Sequence, residues 1–174
     1  ALERVVKEKG AALTLVGRDV TFKLTGSSLD GQKFNLQPST FNLHPLSFII
    51  PLLGSHQIEN AATAYTALKA SEIPITDEQI QKGFSQVQWR ARFEVARREP
   101  PVIFDSAHNQ DSFAKLRETL DAYFPDKQVY LIFGASEDKN IPGMFAEMKP
   151  KIKRIILTRA DHPRALEVER IQQL

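Results

Sequence analysis

Three short stretches concentrate the residues of this chain that could do chemistry. Asp105-Ser106-Ala107-His108-Asn109 follows the apolar triplet Val102-Ile103-Phe104. Gly134-Ala135-Ser136-Glu137-Asp138-Lys139 follows the apolar run at 129–133, and Thr158-Arg159-Ala160-Asp161-His162-Pro163-Arg164 follows Ile155-Ile156-Leu157. Each stretch is small, polar and rich in titratable groups, and two of the four histidines fall in them. Carboxylates that accept from hydroxyls, cations that pair with anions and imidazoles that do either suit a polar, anionic ligand. Singly, each residue has a plainer reading. Asp105 fits a turn ahead of a helix, His108 a water-facing position in a helix's first turn, and Asp161 with Arg164 a surface ion pair of little energetic value. All three stretches follow strands, however, and ligands of a parallel α/β sheet bind beyond the carboxyl ends of its strands.

Those loops need a sheet to hold them. From about residue 87 strand and helix patterns alternate: strand 102–104, helix 109–124, strand 129–133, short helix 142–148, strand 155–157. Phe113, Leu116, Leu120 and Phe124 form the inward stripe of the first helix, and Pro142 suits the first turn of the second. This βαβαβ rhythm predicts an α/β fold with a parallel sheet covered by helices, its first strand short and buried. The residues before it have another texture. Segments 12–16, 20–24, 33–36 and 46–50 alternate polar and apolar and predict short, mostly antiparallel strands, with Asp30-Gly31 as a hairpin turn. Ser55 is placed to cap a helix running to about Ala70, with Ile58, Ala61, Ala62, Tyr65 and Leu68 on one face. Thr76-Asp77-Glu78-Gln79 is a capping box, opening a helix that ends near Phe84. The boundary between the two textures lies at 86–89.

Bulk properties narrow the function. The chain has 174 residues, 42% hydrophobic and 25% charged, values ordinary for a soluble globular protein. Its net charge of +2 is too small to argue for nucleic acid. The densest basic group, Lys149, Lys151, Lys153 and Arg154, reads as a solvated helix end and loop. Without cysteine there is no disulfide or thiolate chemistry. No apolar run is long enough to span a bilayer and no signal-peptide pattern opens the chain, so a cytoplasmic protein is expected. The absence of an initiator Met and a helix-like pattern running into Leu174 read as cut ends. Two patterns are decoys. Residues 26–33 resemble G-x-x-x-x-G-K-[ST], but Gln32 holds the Lys position and Lys33 the hydroxyl position, so the loop is a hairpin rather than a phosphate cradle. His44, His56, His108 and His162 lack the close spacing of a zinc site.

Several segments together resemble the folylpolyglutamate synthase and dihydrofolate synthase family within the Mur ligase superfamily. Gly54-Ser55-His56-Gln57-Ile58-Glu59-Asn60-Ala61-Ala62 is similar to the family's G-x-H-Q-x-x-N-A-A. Trp89-Arg90-Ala91-Arg92-Phe93-Glu94 is similar to W-x-x-R-F-E, and Asp105-Ser106-Ala107-His108-Asn109 to D-G-A-H-N, with Ser106 where Gly is usual. The stretches at 133–139 and 158–164 are family-like as well, and the resemblance runs from about Leu46 to the end.

The resemblance implies that residues 1–86 end a central ATP-binding domain and that 87–174 are most of a Rossmann-like carboxy-terminal domain, truncated. ATP would lie between the domains, with the phosphate-binding loop and most Mg²⁺ ligands upstream. It implies that Asn60 contacts the adenine, that Arg92 stacks on the base or pairs with phosphate, and that Asp105 accepts from the ribose hydroxyls. His108 would lie near the phosphates or the incoming amino acid, a tentative catalytic position, while His56 and Gln57 would mainly shape the helix start. Each has a plain alternative: Asn60 a polar position on an Ala-rich helix, Arg92 a surface arginine among Arg90, Arg97 and Arg98. The implied reaction is ATP-dependent ligation of L-glutamate to folate or dihydropteroate through an acyl phosphate, by a monomeric parent enzyme needing no nucleic acid and no membrane. A Mur-type ligase of peptidoglycan precursors and a non-enzymatic nucleotide-binding module are the competing readings.

Overall fold

The computed structural model describes residues 2–38, 45–71 and 73–174, so His44 lies outside the described residues. Helix α1 (Leu2–Lys9), strands β1 (Val20–Ser28), β2 (Gly31–Pro38) and β3 (Leu46–Ile50), and helices α2 (Ser55–Ala70) and α3 (Asp77–Gln86) come first. Strands β4 (Glu94–Arg98) and β5 (Pro101–Phe104), helix α4 (Gln110–Tyr123), strand β6 (Val129–Phe133), helix α5 (Ile141–Met148), strand β7 (Ile152–Leu157) and helix α6 (Val168–Gln172) follow. They form two compact units, Ala1–Gln88 and Trp89–Leu174.

In the first unit β1, β2 and β3 make an antiparallel sheet in that order. The hairpin pairs Ser28 with Gly31, so its turn is Leu29-Asp30 and Gly31 opens β2, one residue off the expected position. Glycine is needed there because a Cβ would lie 2.6 Å from the Ile50 carbonyl oxygen, at a φ of 146°. Residues 12–16 are not a strand. Only Val16 makes an isolated bridge, to Val20, because the chain turns around Asp19. Its carboxylate accepts from the Leu15 N–H at 2.8 Å and from the Arg18 guanidinium at 2.7 and 2.9 Å. The Arg18 hydrogen bond, then that of Leu15, holds the Asp19 carboxyl down at about 2. The core packs Phe34, Leu36, Phe48 and Ile50 of the sheet against Ile58, Ala61, Ala62 and Tyr65 of α2 and Ile80 of α3. A fully buried side chain of this size contributes roughly 1.5–3 kcal/mol. Helix α2 starts differently from expectation. Its cap is Gly54, at φ 105°, with no side-chain cap, and Ser55 is already helical. Helix α3 has the full capping box between Thr76 and Gln79.

The second unit is α/β, with β6 and β7 paired in parallel. Of the three strands in that rhythm, β6 and β7 pair with each other in parallel while β5 pairs antiparallel with β4 in a separate two-stranded sheet. Only Glu99-Pro100 separates those strands, and a link that short closes a hairpin, whereas a parallel crossover needs a dozen residues or more. Nor is β5 a buried strand: Phe104 is 56% exposed. Alternate residues on one face of β6 and β7, Tyr130, Ile132 and Ile156, are exposed too. The opposite face is better covered, with Phe133 buried and Val129, Leu131 and Leu157 half-buried, although Ile155 is 36% exposed. Phe133 packs on Phe113 of α4 and Phe145 of α5, ring centroids 5.9 and 4.9 Å apart, above buried Ile141, Met144 and Met148. Lys151 is not a solvated loop lysine. It is 6% exposed, and its Nζ donates to the carbonyls of Phe124 (3.1 Å) and Pro125 (2.8 Å) and pairs with Asp121 (2.9 Å). It ties the end of α4 to the start of β7.

Candidate functional site

A cleft of about 410 Å³ opens at the carboxyl ends of β6 and β7 and is lined by residues of all three polar loops, among them His108, Ser136, Lys139, His162 and Arg164. The loops after β6 and β7 are laced to each other by the backbone. Glu137 donates to the Arg164 carbonyl (3.1 Å) and Leu166 to that of Ala135 (2.9 Å). Gly134 permits the approach, since a Cβ there would stand 2.7 Å from the Thr158 carbonyl oxygen. The cleft is cationic in character. Lys139 Nζ sits 2.8 Å from Asp138, whose carboxyl is held below its usual range chiefly by that lysine, with Arg164 adding to the effect. Of the Lys, Arg, Asp and Glu side chains, those that line the cleft are the basic Lys139 and Arg164.

His108 reaches the cleft from the start of α4. Asn109 caps that helix by accepting from Ser112 N–H at 2.8 Å, and Ser112 Oγ accepts from the His108 N–H at 3.0 Å. The His108 Nδ1 lies 3.0 Å from the Ser106 carbonyl oxygen. A carbonyl only accepts, so Nδ1 carries the proton and the lone pair of a neutral ring is on Nε2.

Asp105 does not line the cleft. One of its oxygens accepts from the Phe93 N–H (2.8 Å) and the other from the Ala107 N–H (2.7 Å). Each ionised oxygen retains a lone pair for a further donor such as a hydroxyl. Asp105 is thereby joined to the turn carrying Arg92, and the Ser106 N–H adds a bond to the Ala91 carbonyl at 2.8 Å. Ala91 and Phe93 have φ of 55° and 47°, a conformation that costs non-glycine residues roughly 1–2 kcal/mol each. The exposed Arg92 between them lies over the Trp89 ring, 5.5 Å from its centroid. Ser106 is not among the positive-φ residues, so its backbone does not demand the glycine usual in that motif.

Asn60 lies in the other unit, on the exposed side of α2. Its amide donates to Gln57 Oε1 at 3.2 Å, and Gln57 Nε2 is 3.0 Å from His56 Nε2. The three polar residues of the helix start are therefore one relay, orienting Asn60. Beneath them is a residue that sequence reasoning missed. Gln32, from the discounted glycine-rich stretch, is 2% exposed and donates to the carbonyls of Leu52 (2.8 Å) and Gly54 (2.9 Å). The available signal was its phase: Gln32, Phe34 and Leu36 are two apart and share the inward face of β2.

The Mur ligase, glutamate ligase domain family matches residues 91–174. A probable bifunctional folylpolyglutamate synthase/dihydropteroate synthase of Haloferax volcanii is 30% identical over 173 residues, covering 97% of this chain and 20% of that protein. The dihydrofolate synthase/folylpolyglutamate synthase of Escherichia coli is 29% identical over 167 residues, covering 96% of this chain and 37% of that one. The crystal structure of Mycobacterium tuberculosis folylpolyglutamate synthase complexed with ADP and AMPPCP superposes with a TM-score of 0.89 at 25% identity, covering 99% of this chain and 39% of that chain. The present chain thus spans between a fifth and two fifths of the length of these relatives.

Proposed function

We propose that this chain, which belongs to the folylpolyglutamate and dihydrofolate synthase family of the Mur ligase superfamily, supplies adenosine-side contacts and an amino-acid cleft to an ATP-dependent ligase that adds L-glutamate to folate or dihydropteroate. The observation that carries this reading is the cationic cleft formed by three strand-end loops in a unit that matches a glutamate ligase domain. Glutamate is a dianion apart from its amine. Lys139 and Arg164 would hold its carboxylates, with Arg164 offering the planar fork that suits them. Asn60 would present its amide oxygen to the adenine edge, Arg92 its guanidinium plane to base or phosphate, and Asp105 its remaining lone pairs to the ribose. His108, proton on Nδ1, would stand by the attacking amine or the phosphates.

In this reading ATP activates the γ-carboxylate of the folate as an acyl phosphate. The chain's own residues bind, orient and balance charge, which is the main protein contribution in phosphoryl-linked ligation. Among the described residues no three His, Cys, Asp or Glu side chains are placed to hold a metal ion; in this reading Mg²⁺ would be bound mainly through the ATP phosphates. No helix among the described residues is long and apolar enough to cross a membrane. Separately, and by likeness to the family alone, we take the parent enzyme to be a cytoplasmic monomer.

The test uses the parent enzyme. Lys139→Ala and Arg164→Ala should each raise the KM for glutamate about tenfold, equivalent to ~1.4 kcal/mol of binding, while the KM for ATP stays within twofold. A parent enzyme that extends muramoyl peptides and ignores folates would overturn the substrate assignment.

A further inference from the structure

The W-x-x-R-F-E stretch holds more order than a linker requires. Arg92 sits between two residues in the left-handed region, Ala91 and Phe93, and each of those has its N–H taken by a carboxylate. Glu94 Oε2 accepts from Ala91 at 2.9 Å, and Asp105 Oδ2 accepts from Phe93 at 2.8 Å. The Phe93 ring is buried at 4% exposure, against Tyr123 and Phe124 at centroid distances of 6.2 and 6.5 Å. The Ala91 carbonyl is held by Ser106. The backbone on both sides of Arg92 is therefore pinned, and what remains at the apex is an exposed guanidinium over Trp89.

We infer that Glu94 is a positioning residue for Arg92, working through the Ala91 amide as the counterpart of Asp105 on the other side. An unsupported Ala-Arg-Phe segment favours ordinary negative φ. A charge-assisted bond to each flanking amide supplies the compensation, and the result aims the arginine. Glu94 itself needs no ligand contact for this. The inference rests on the nucleotide reading only for its second readout.

Trp89 is the single tryptophan and reports Arg92 directly. In the chain without nucleotide, Arg92→Ala should change the Trp89 emission maximum and intensity. Glu94→Asp, which keeps the charge and shortens the reach, should reproduce at least half of that change and add nothing in the R92A background. Ala91→Gly, which adopts positive φ freely, should restore most of the wild-type emission to E94D. Wild-type emission from E94D, or effects of E94D and R92A that add, would overturn the inference. If circular dichroism shows E94D unfolded, Glu94→Gln decides. It keeps an acceptor but removes the charge, so it should shift Trp89 emission part of the way towards that of R92A and add nothing in the R92A background; wild-type emission from E94Q, or a shift that persists in the R92A background, overturns the inference. The second readout is affinity for an ATP analogue, which E94D should weaken three- to tenfold, with no further loss when R92A is already present. Absence of any analogue binding by the wild type would remove the nucleotide reading and leave the emission result to stand alone.

Discussion

Lys151 shows what a charge does when a side chain nearly lacks solvent. Three acceptors, two carbonyls and Asp121, replace the water it lost, and removing it leaves those groups short of a partner. Lys151→Met should destabilise the second unit by roughly 1–3 kcal/mol, measured by urea denaturation. Its partner gives the pH sign. The Asp121 carboxyl is held below its usual value chiefly by the hydrogen bond from Lys151. A depressed carboxyl contributes stability that is complete above its unfolded value and is lost as pH falls through the folded one. Acid should therefore weaken wild type more than K151M in that window. Tyr65 has the opposite sense. Burial first, then the charge of Asp77, raises its phenol to about 12, so its contribution is full below the ordinary tyrosine value and fades as pH climbs from about 10 to about 12. Ultraviolet titration should show one of the three tyrosines ionising well after an ordinary phenol. At the site, Asn60→Ala should weaken nucleotide binding by threefold to tenfold in the parent enzyme, by calorimetry. The side chains of His56, Gln57 and Asn60 are linked in series, while the helix start itself is formed at Gly54 without a side-chain cap.

Elements are where local chemistry and neighbours part company. Thr76 and Gln79 satisfy each other's backbone without outside help, which is why the capping box was legible. Thr76→Ala should cost about 1 kcal/mol, read from the thermal midpoint. Gly54, Gly31 and Gly134 were less legible, because two of them answer to a distant backbone rather than to their own turn. The Ile50 carbonyl excludes a Cβ at Gly31, and the Thr158 carbonyl excludes one at Gly134. Gly134→Ala should spread the ends of β6 and β7 and raise the KM for glutamate more than the KM for ATP. Strand β4 was missed because Glu94, Arg97 and Arg98 disguise its period, and its existence depends on β5 folding back upon it.

For the whole molecule, the chain carries two units of unlike build, an antiparallel sheet with helices and an α/β unit. The family match falls on the second, at 91–174. The phosphate-binding pattern G-x-x-x-x-G-K-[ST] does not occur in the 174 residues, and the relatives are more than twice as long. The 174-residue chain by itself should therefore show no ATP-dependent glutamate ligation, assayed as ADP release with folate and glutamate present. Sustained turnover would refute that expectation. The exposed apolar residues Phe104, Tyr130, Ile132 and Ile156 also belong to this scale. Parallel sheets are ordinarily covered on both faces, and among the described residues the face of β6 and β7 that carries Tyr130, Ile132 and Ile156 is left exposed.

Periodicity, turn residues and capping patterns are local, and the sequence by itself determined what depends on them: the positions of α2 to α5, the strands at 46–50 and 129–133, the α/β rhythm and the motifs that identify the family. Tertiary structure decided everything that rests on a partner far along the chain. It turned Gln32 from a failed phosphate ligand into the buried support of Leu52 and Gly54. It turned Lys151 from a surface charge into a tie, and β5 from a parallel strand into half a hairpin. It also gathered His108, Lys139 and Arg164 around one cleft while committing Asp105 to the turn of Arg92. Residue type sets which bonds a side chain can make, whereas only the folded chain sets which acceptor arrives within reach.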